Sequence, residues 1–124
     1  MQYLLLFLGG GLGAVSRFAL SSFINQRMNL LFPIGTISVN VIGSFVMGFV
    51  FYLFQNVTIA VETRIFITVG FLGGFTTFSS FSIETISLLR DGEYRFFVYN
   101  LLFSNLFCLL AAFGGLSIAK IVTR

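Results

Sequence analysis

The sequence has few charged residues: Lys, Arg, Asp and Glu together make up 9% of its 124 residues, and its mean hydropathy is +1.02. Soluble domains carry about 25% charged residues, so this composition excludes an ordinary soluble globular protein. Hydrophobic residues make up 57% of the chain and occur along its whole length. We therefore expect an integral membrane protein with a single transmembrane domain, residues 1–124.

Histidine and tryptophan are absent, and Cys108 is the only cysteine. A single cysteine excludes an intramolecular disulfide. Without histidine, and without lysine inside the apolar runs, the chain has few side chains suited to proton relay or phosphate binding. The sequence has no phosphate-binding loop, no cluster of metal-ligating side chains and no nucleophile next to a base. It indicates neither an enzyme nor a nucleic-acid-binding protein.

Apolar runs separated by charged or turn-forming residues predict an all-α membrane protein. The four transmembrane helices are expected near residues 3–24, 33–55, 64–89 and 95–119. They must be helices because an isolated strand cannot satisfy its backbone in lipid. The first run also resembles a signal peptide, but no positive charge precedes it, and its glycines favour a helix packed closely on a neighbour.

Positively charged residues are balanced across the membrane if four spans put both termini on one side. If Arg17 is left out as intramembrane, three lie on the side of the termini and three on the other: Arg64, Lys120 and Arg124 against Arg27, Arg90 and Arg95. Because the Lys/Arg bias of short loops sets orientation, this balance predicts insertion in both orientations. The closed assembly that follows is an antiparallel dimer. The alternative is that the balance is accidental and a partner fixes the orientation.

The third apolar run is interrupted by glycines and hydroxyls. Residues 73–82 contain Gly73-Gly74 followed by two threonines and three serines. Unpaired backbone groups cost several kcal/mol in hydrocarbon, so such a stretch is tolerated only where it is buried in protein or lines a cavity. The pattern predicts a helix broken halfway across the membrane. Carbonyls freed there, such as those of Gly73 and Thr76, are able to hold a small cation.

Aromatic and polar side chains recur at helical spacing around this interruption. Phe78 and Phe81 share one helical face, and the positive edges of their rings can point at an anion; in a chain with 18 Phe the alternative is ordinary packing. Two polar stripes occupy the second and fourth spans: Thr36, Asn40 and Ser44, and Asn100, Ser104 and Cys108. They indicate either a polar pathway or hydrogen bonds that hold helices together.

Two ionisable residues fall inside the spans, Arg17 in the first and Glu84 in the third. Intramembrane charge is costly, so each is a functional hypothesis by default. The alternative is that each side chain snorkels to an interface. Hydroxyl and amide donors, ring edges and an arginine together suit the binding of a small dehydrated anion.

Three sequence motifs resemble those of one family. Residues 73–84 read Gly-Gly-x-Thr-Thr-Phe-Ser-x-Phe-Ser-x-Glu, residues 9–18 read GGGLGAVSRF, and residues 35–45 read GTISVNVIGSF. In this order they resemble the Fluc family of fluoride channels, also called CrcB, over most of the chain.

The resemblance implies a dual-topology antiparallel homodimer, built from two copies of this chain in a lipid bilayer, with two fluoride pores. A sodium ion would lie on the twofold axis, held by backbone carbonyls of Gly73 and Thr76. The residues it assigns to the pore are Phe78, Phe81, Asn40, Ser79, Thr36 and Ser104. Arg17 and Glu84 are assigned to the vestibule or to gating.

On the fourth span this chain departs from the family, which often has a Tyr followed by two hydroxyls at intervals of four. Asn100, Ser104 and Cys108 stand in that stripe here. Ser80 also replaces a commoner Thr and keeps the hydroxyl. Some members of the family pair unlike chains, whereas the charge balance favours a self-sufficient chain.

The function that the resemblance implies is passive efflux of cytoplasmic fluoride through the plasma membrane of a prokaryote, which protects the cell from fluoride toxicity. One alternative is a small dual-topology multidrug exporter. That class needs a first-span carboxylate and a tryptophan-lined cavity, and this chain has neither. A second alternative is an assembly or anchoring subunit that transports nothing.

Overall fold

The computed structural model describes all 124 residues and is all-helical. Its elements are α1 (Gln2–Met28), α2 (Ile34–Asn56), α3 (Val61–Arg64), a π-helical segment (Ile65–Leu72), α4 (Gly73–Phe75), α5 (Phe78–Arg90) and α6 (Tyr94–Val122). They form four stretches long and apolar enough to cross a membrane: Gln2–Met28, Ile34–Asn56, Val61–Arg90 and Tyr94–Val122. This confirms the prediction of an all-α protein with four helices able to span a bilayer.

The first connection is tied to both helices it joins. α1 ends where Asn29 adopts the left-handed conformation, with φ of 44°, and donates its N–H to the Asn25 carbonyl. The Asn25 side-chain oxygen accepts the N–H of Gly35 at 2.9 Å, which satisfies one of the unpaired donors at the start of α2. The sequence placed Asn25 and Arg27 in a connection, but both are helical. The end of α1 is held against the start of α2 by the bond between Asn25 and Gly35.

The turn between α5 and α6 requires a glycine. Gly92 has φ of +79°, a conformation that side chains with a Cβ adopt at a cost. Glu93 donates its N–H to the Leu88 carbonyl at 2.8 Å, so the chain reverses within a few residues. The start of α6 thus lies beside the end of α5.

Glycines allow two pairs of elements to pack backbone to backbone. α1 packs on the π-helical segment and α4, and α2 packs on α6. A Cβ on Gly13 would collide with the Phe71 carbonyl oxygen, and a Cβ on Gly115 would collide with the Phe45 carbonyl oxygen. These close approaches make the glycines structurally necessary.

The third stretch changes its backbone twice. It is π-helical over Ile65–Leu72, a rare conformation that is frequent at functional sites. Thr76, with φ −85° and ψ 155°, and Thr77, with φ −150° and ψ 117°, are extended. The kink expected at Gly73-Gly74 falls at Thr76-Thr77 instead. Both glycines are helical, and a Cβ on Gly74 would strike the Gly10 carbonyl. The glycine pair serves close packing, and the threonines carry the extended backbone.

Few residues are buried in a single copy of the chain, only 19 of 124. A soluble protein rarely exposes apolar patches beyond a few hundred Å². The exposed Leu, Ile and Phe side chains lie along all four stretches. This surface suits contact with lipid or with other membrane helices.

Candidate functional site

A cavity lies beside the extended residues Thr76 and Thr77. Its volume is about 410 Å³. Its polar and aromatic lining comes from α2, the interruption, α5 and α6: Asn40, Ser44, Thr76, Thr77, Phe78, Phe81, Ser104, Asn105 and Cys108. Of the predicted pore residues it brings together Asn40, Phe78, Phe81 and Ser104. Ser79 and Thr36 do not line it.

Asn40 clamps the backbone of Thr77 from α2. Its side-chain nitrogen donates to the Thr77 carbonyl at 3.0 Å, and its side-chain oxygen accepts the Thr77 N–H at 2.8 Å. Thr77 is buried, and its extended backbone has no helical partners of its own, so both groups would otherwise be unpaired. Asn40 also lines the cavity, and its amide has one further N–H to offer.

Two carbonyl oxygens at the interruption lose their helical partners. In a continuous helix the Thr77 N–H would bond the Gly73 carbonyl, but it is donated to Asn40 instead. Thr76 lies between two helices, and no backbone N–H donates to its carbonyl. Free carbonyl oxygens are the ligands that small hard cations prefer. The donor set at Gly73 and Thr76 therefore fits a sodium ion, which stays a prediction.

Thr77 also caps α5. Its hydroxyl oxygen accepts the Ser80 N–H at 3.2 Å, which satisfies one of the free donors at the start of a helix. The N–H groups of Phe78 and Ser79 have no intrahelical partner at this end. The positive end of the α5 dipole therefore lies at the cavity wall.

Phe78 and Phe81 lie side by side on α5. Their ring centroids are 5.3 Å apart and the rings are tilted by 48°. Phe81 is 7% exposed, whereas Phe78 is 75% exposed in a single copy. An isolated chain thus leaves one of the two predicted pore rings without a packing partner.

Thr36 and Glu84 meet one helical turn from Asn40 along α2. The Thr36 hydroxyl donates to Glu84 Oε1 at 2.7 Å, and Glu84 Oε2 is buried with no hydrogen-bond partner. The two residues lie outside the cavity. The Thr36 hydroxyl is therefore the one hydrogen-bond donor to the Glu84 carboxyl group.

Thr36→Val is expected to lower the free energy of unfolding by about 1–3 kcal/mol, because both oxygens of a part-buried carboxyl group then lack a partner. Unfolding of the purified protein in detergent measures this. Thr63→Val is the matched control, since Thr63 is exposed in α3. Equal losses in the two variants would show that the Thr36–Glu84 bond contributes nothing.

Arg17 is half-buried late in α1 and lies away from the cavity. The chain's one ion pair joins Arg90 and Asp91 on the surface, so no carboxylate neutralises Arg17. Its predicted place in a vestibule stays a prediction.

A buried polar network joins α5 and α6 behind the cavity wall. The Asn100 side-chain nitrogen donates to Thr85 Oγ1 at 2.7 Å, and the Ser104 hydroxyl donates to Asn100 Oδ1 at 2.9 Å. The Thr85 hydroxyl donates to the Phe81 carbonyl at 2.6 Å. The sequence stripe named Asn100 and Ser104 but missed Thr85, which only its contact with α6 reveals.

Thr77 is the other functional residue that the sequence reasoning missed. The signal was present, since a Thr just before a helical run is a common N-cap. Its pairing with Asn40 had no such signal, because it joins residues 37 positions apart.

This chain matches one protein family and is similar to several known bacterial proteins. Residues 4–116 match the family described as CrcB-like protein, Camphor Resistance (CrcB). The chain is 42% identical over 120 residues to a protein of Parabacteroides distasonis, covering 97% of this chain and 94% of that protein. It is 43% identical over 123 residues to one of Magnetococcus marinus, covering 98% and 100%. Over 116 residues it is 46% identical to one of Opitutus terrae, covering 91% and 88%.

Each of these three bacterial proteins is named a fluoride-specific ion channel, FluC. The matches run through all four apolar stretches and include the interruption, the clamp and the cavity-lining helices. The chain belongs to the CrcB family.

Proposed function

We propose that this chain is a fluoride-specific ion channel that lets cytoplasmic fluoride leave a prokaryotic cell passively, through the plasma membrane. The observation that carries the proposal is similarity over nearly the whole length to bacterial proteins named for this activity. Flow down the electrochemical gradient needs no energy source, and the cavity has no carboxylate for proton coupling. The channel protects the cell from fluoride toxicity.

The anion path runs past the interruption and along the groove between α2 and α5. Asn40, Phe78, Phe81 and Ser104 line the cavity, and Ser79 and Thr36 extend the path at either side. Fluoride is small and strongly hydrated, so a narrow site must replace its water with donors and positive ring edges. The second amide N–H of Asn40 and the free N–H groups at the start of α5 are such donors.

The functional assembly is an antiparallel homodimer with two pores, and its twofold axis passes near the interruption. The even distribution of Lys and Arg across the membrane supports both orientations of the chain. The 75% exposure of Phe78 supports a second copy as its packing partner. The interruption then lies at mid-membrane depth, sheltered from lipid.

A sodium ion held by the Gly73 and Thr76 carbonyls would join the two copies at this axis. Bound there, a sodium ion would supply positive charge that balances the dipoles of these carbonyls. The residues themselves prepare the site, since Asn40 removes the Thr77 N–H from the Gly73 carbonyl.

Arg17 and Glu84 act at the ends of the path. Arg17 carries an unneutralised charge, which attracts anions into a vestibule. Glu84 lies beyond Asn40 beside Thr36, where movement of its carboxyl group would open or close the groove. Nothing in the fold favours a multidrug exporter, because this chain has no carboxylate in its first span.

Efflux from liposomes that contain the purified protein tests the proposal. Vesicles loaded with potassium fluoride or with potassium chloride are diluted into buffer free of both anions, with valinomycin, and a fluoride or chloride electrode records release. The proposal expects fast fluoride release, and chloride release no faster than from protein-free vesicles. Equal release of the two ions, or fluoride release only with an imposed proton gradient, would contradict it.

A further inference from the structure

The hydrogen bonds around Asn100 determine where each proton lies. The Phe81 carbonyl can only accept, so the Thr85 hydroxyl must donate to it across 2.6 Å. Thr85 then has only lone pairs left for Asn100, and the atom of Asn100 that faces it must be the amide nitrogen. The side-chain oxygen of Asn100 therefore faces Ser104.

Ser104 consequently donates its only hydroxyl proton to Asn100 Oδ1. Ser104 also lines the cavity, where its oxygen presents lone pairs and no proton. An anion next to it needs a donor and meets an acceptor. To bind the anion, the hydroxyl must rotate and leave Asn100 Oδ1 without a donor.

Asn100 cannot follow such a rotation. Its side chain is 0% exposed, and its amide nitrogen is held by Thr85 on the neighbouring helix. A buried acceptor left without a partner raises the free energy of the rotated state. The anion thus competes with Asn100 for one proton.

We propose that Asn100 is a positioning residue that holds the Ser104 proton away from the cavity and so weakens anion binding at this point of the path. The proposal rests on the proposed fluoride conduction. Weak binding suits a channel, since an ion held too tightly does not leave.

Fluoride flux as a function of fluoride concentration tests this. Asn100→Leu removes the competing acceptor at similar side-chain size. It is expected to lower the concentration for half-maximal flux by roughly fivefold, the factor that one ordinary hydrogen bond corresponds to. In a Ser104→Ala background the same substitution is expected to cause no shift, because no proton remains to be released.

The Ser104→Ala background separates this role from a structural one. A purely structural Asn100 would shift the concentration equally in both backgrounds, which would overturn the proposal, as would no shift in either. Asn100→Asp retains the acceptor, so its half-maximal concentration should not fall below that of the unchanged protein; a fall would also overturn it. Asn100→Ala removes the same acceptor and replaces the leucine variant if that fails to assemble. Absence of fluoride flux in the unchanged protein would instead refute the proposed function.

Discussion

Asn40→Leu is expected to reduce fluoride flux to the level of protein-free vesicles. Leucine has a similar volume but offers neither the donor nor the acceptor that holds Thr77. The buried N–H and C=O of Thr77 then lack partners, each at a cost of about 1–3 kcal/mol. The extended backbone at the interruption moves to recover those bonds, and the cavity wall loses its shape. Fluoride-electrode recordings from reconstituted vesicles measure the effect.

Asn56→Leu is the matched control for this prediction. Asn56 is exposed at the end of α2 and bonds only the Tyr52 carbonyl one turn earlier. Its replacement should leave fluoride flux within about twofold, since surface substitutions are usually within ±0.5 kcal/mol. Normal flux in Asn40→Leu would show that the clamp on Thr77 plays no part in conduction.

Gly13→Ala is expected to have the second-largest effect, on folding rather than on flux. The new Cβ would collide with the Phe71 carbonyl oxygen and lie 2.9 Å from the Phe75 nitrogen. Main-chain atoms cannot rotate away as a side-chain tip can, so α1 must separate from the third stretch. Overpacking of this kind costs about 1–3 kcal/mol and occasionally more. The melting temperature of the purified protein and its yield as a single species should both fall.

Gly11→Ala provides the comparison, because a Cβ on Gly11 meets nothing within 4 Å. Both variants replace a glycine of α1 with alanine, so the change in helical propensity is the same. Only the approach of Gly13 to the Phe71 carbonyl distinguishes them. Equal melting temperatures for the two variants would mean that this approach does not stabilise the fold.

The hydrophobic pattern predicted the four apolar helices because length and hydropathy decide them locally. The C-terminal end of α1 could not be predicted, since Asn25 stays helical and bonds Gly35 in the next element. The same limit applies to Gly73-Gly74. Their sequence suggested a kink at the glycines, whereas Gly74 is helical and lies close to the Gly10 carbonyl, and the extended backbone falls at Thr76 and Thr77.

The candidate site shows what kind of information spacing lacks. The stripe of Asn100 and Ser104 on α6 was visible at intervals of four. The direction of the Ser104 proton was not, because it depends on the Phe81 carbonyl, which is three hydrogen bonds away through Asn100 and Thr85. Side-chain type predicts which groups can donate. Only the three-dimensional network determines which of them still has a proton to offer.

Conduction in the proposed channel requires two copies that meet at their interruptions. An experimental structure of the purified assembly in lipid, with sodium present, tests this most directly. We predict two chains in opposite orientations, with the Thr76 carbonyls of both facing a common axis. Chains in the same orientation, or interruptions separated by other helices, would contradict the account.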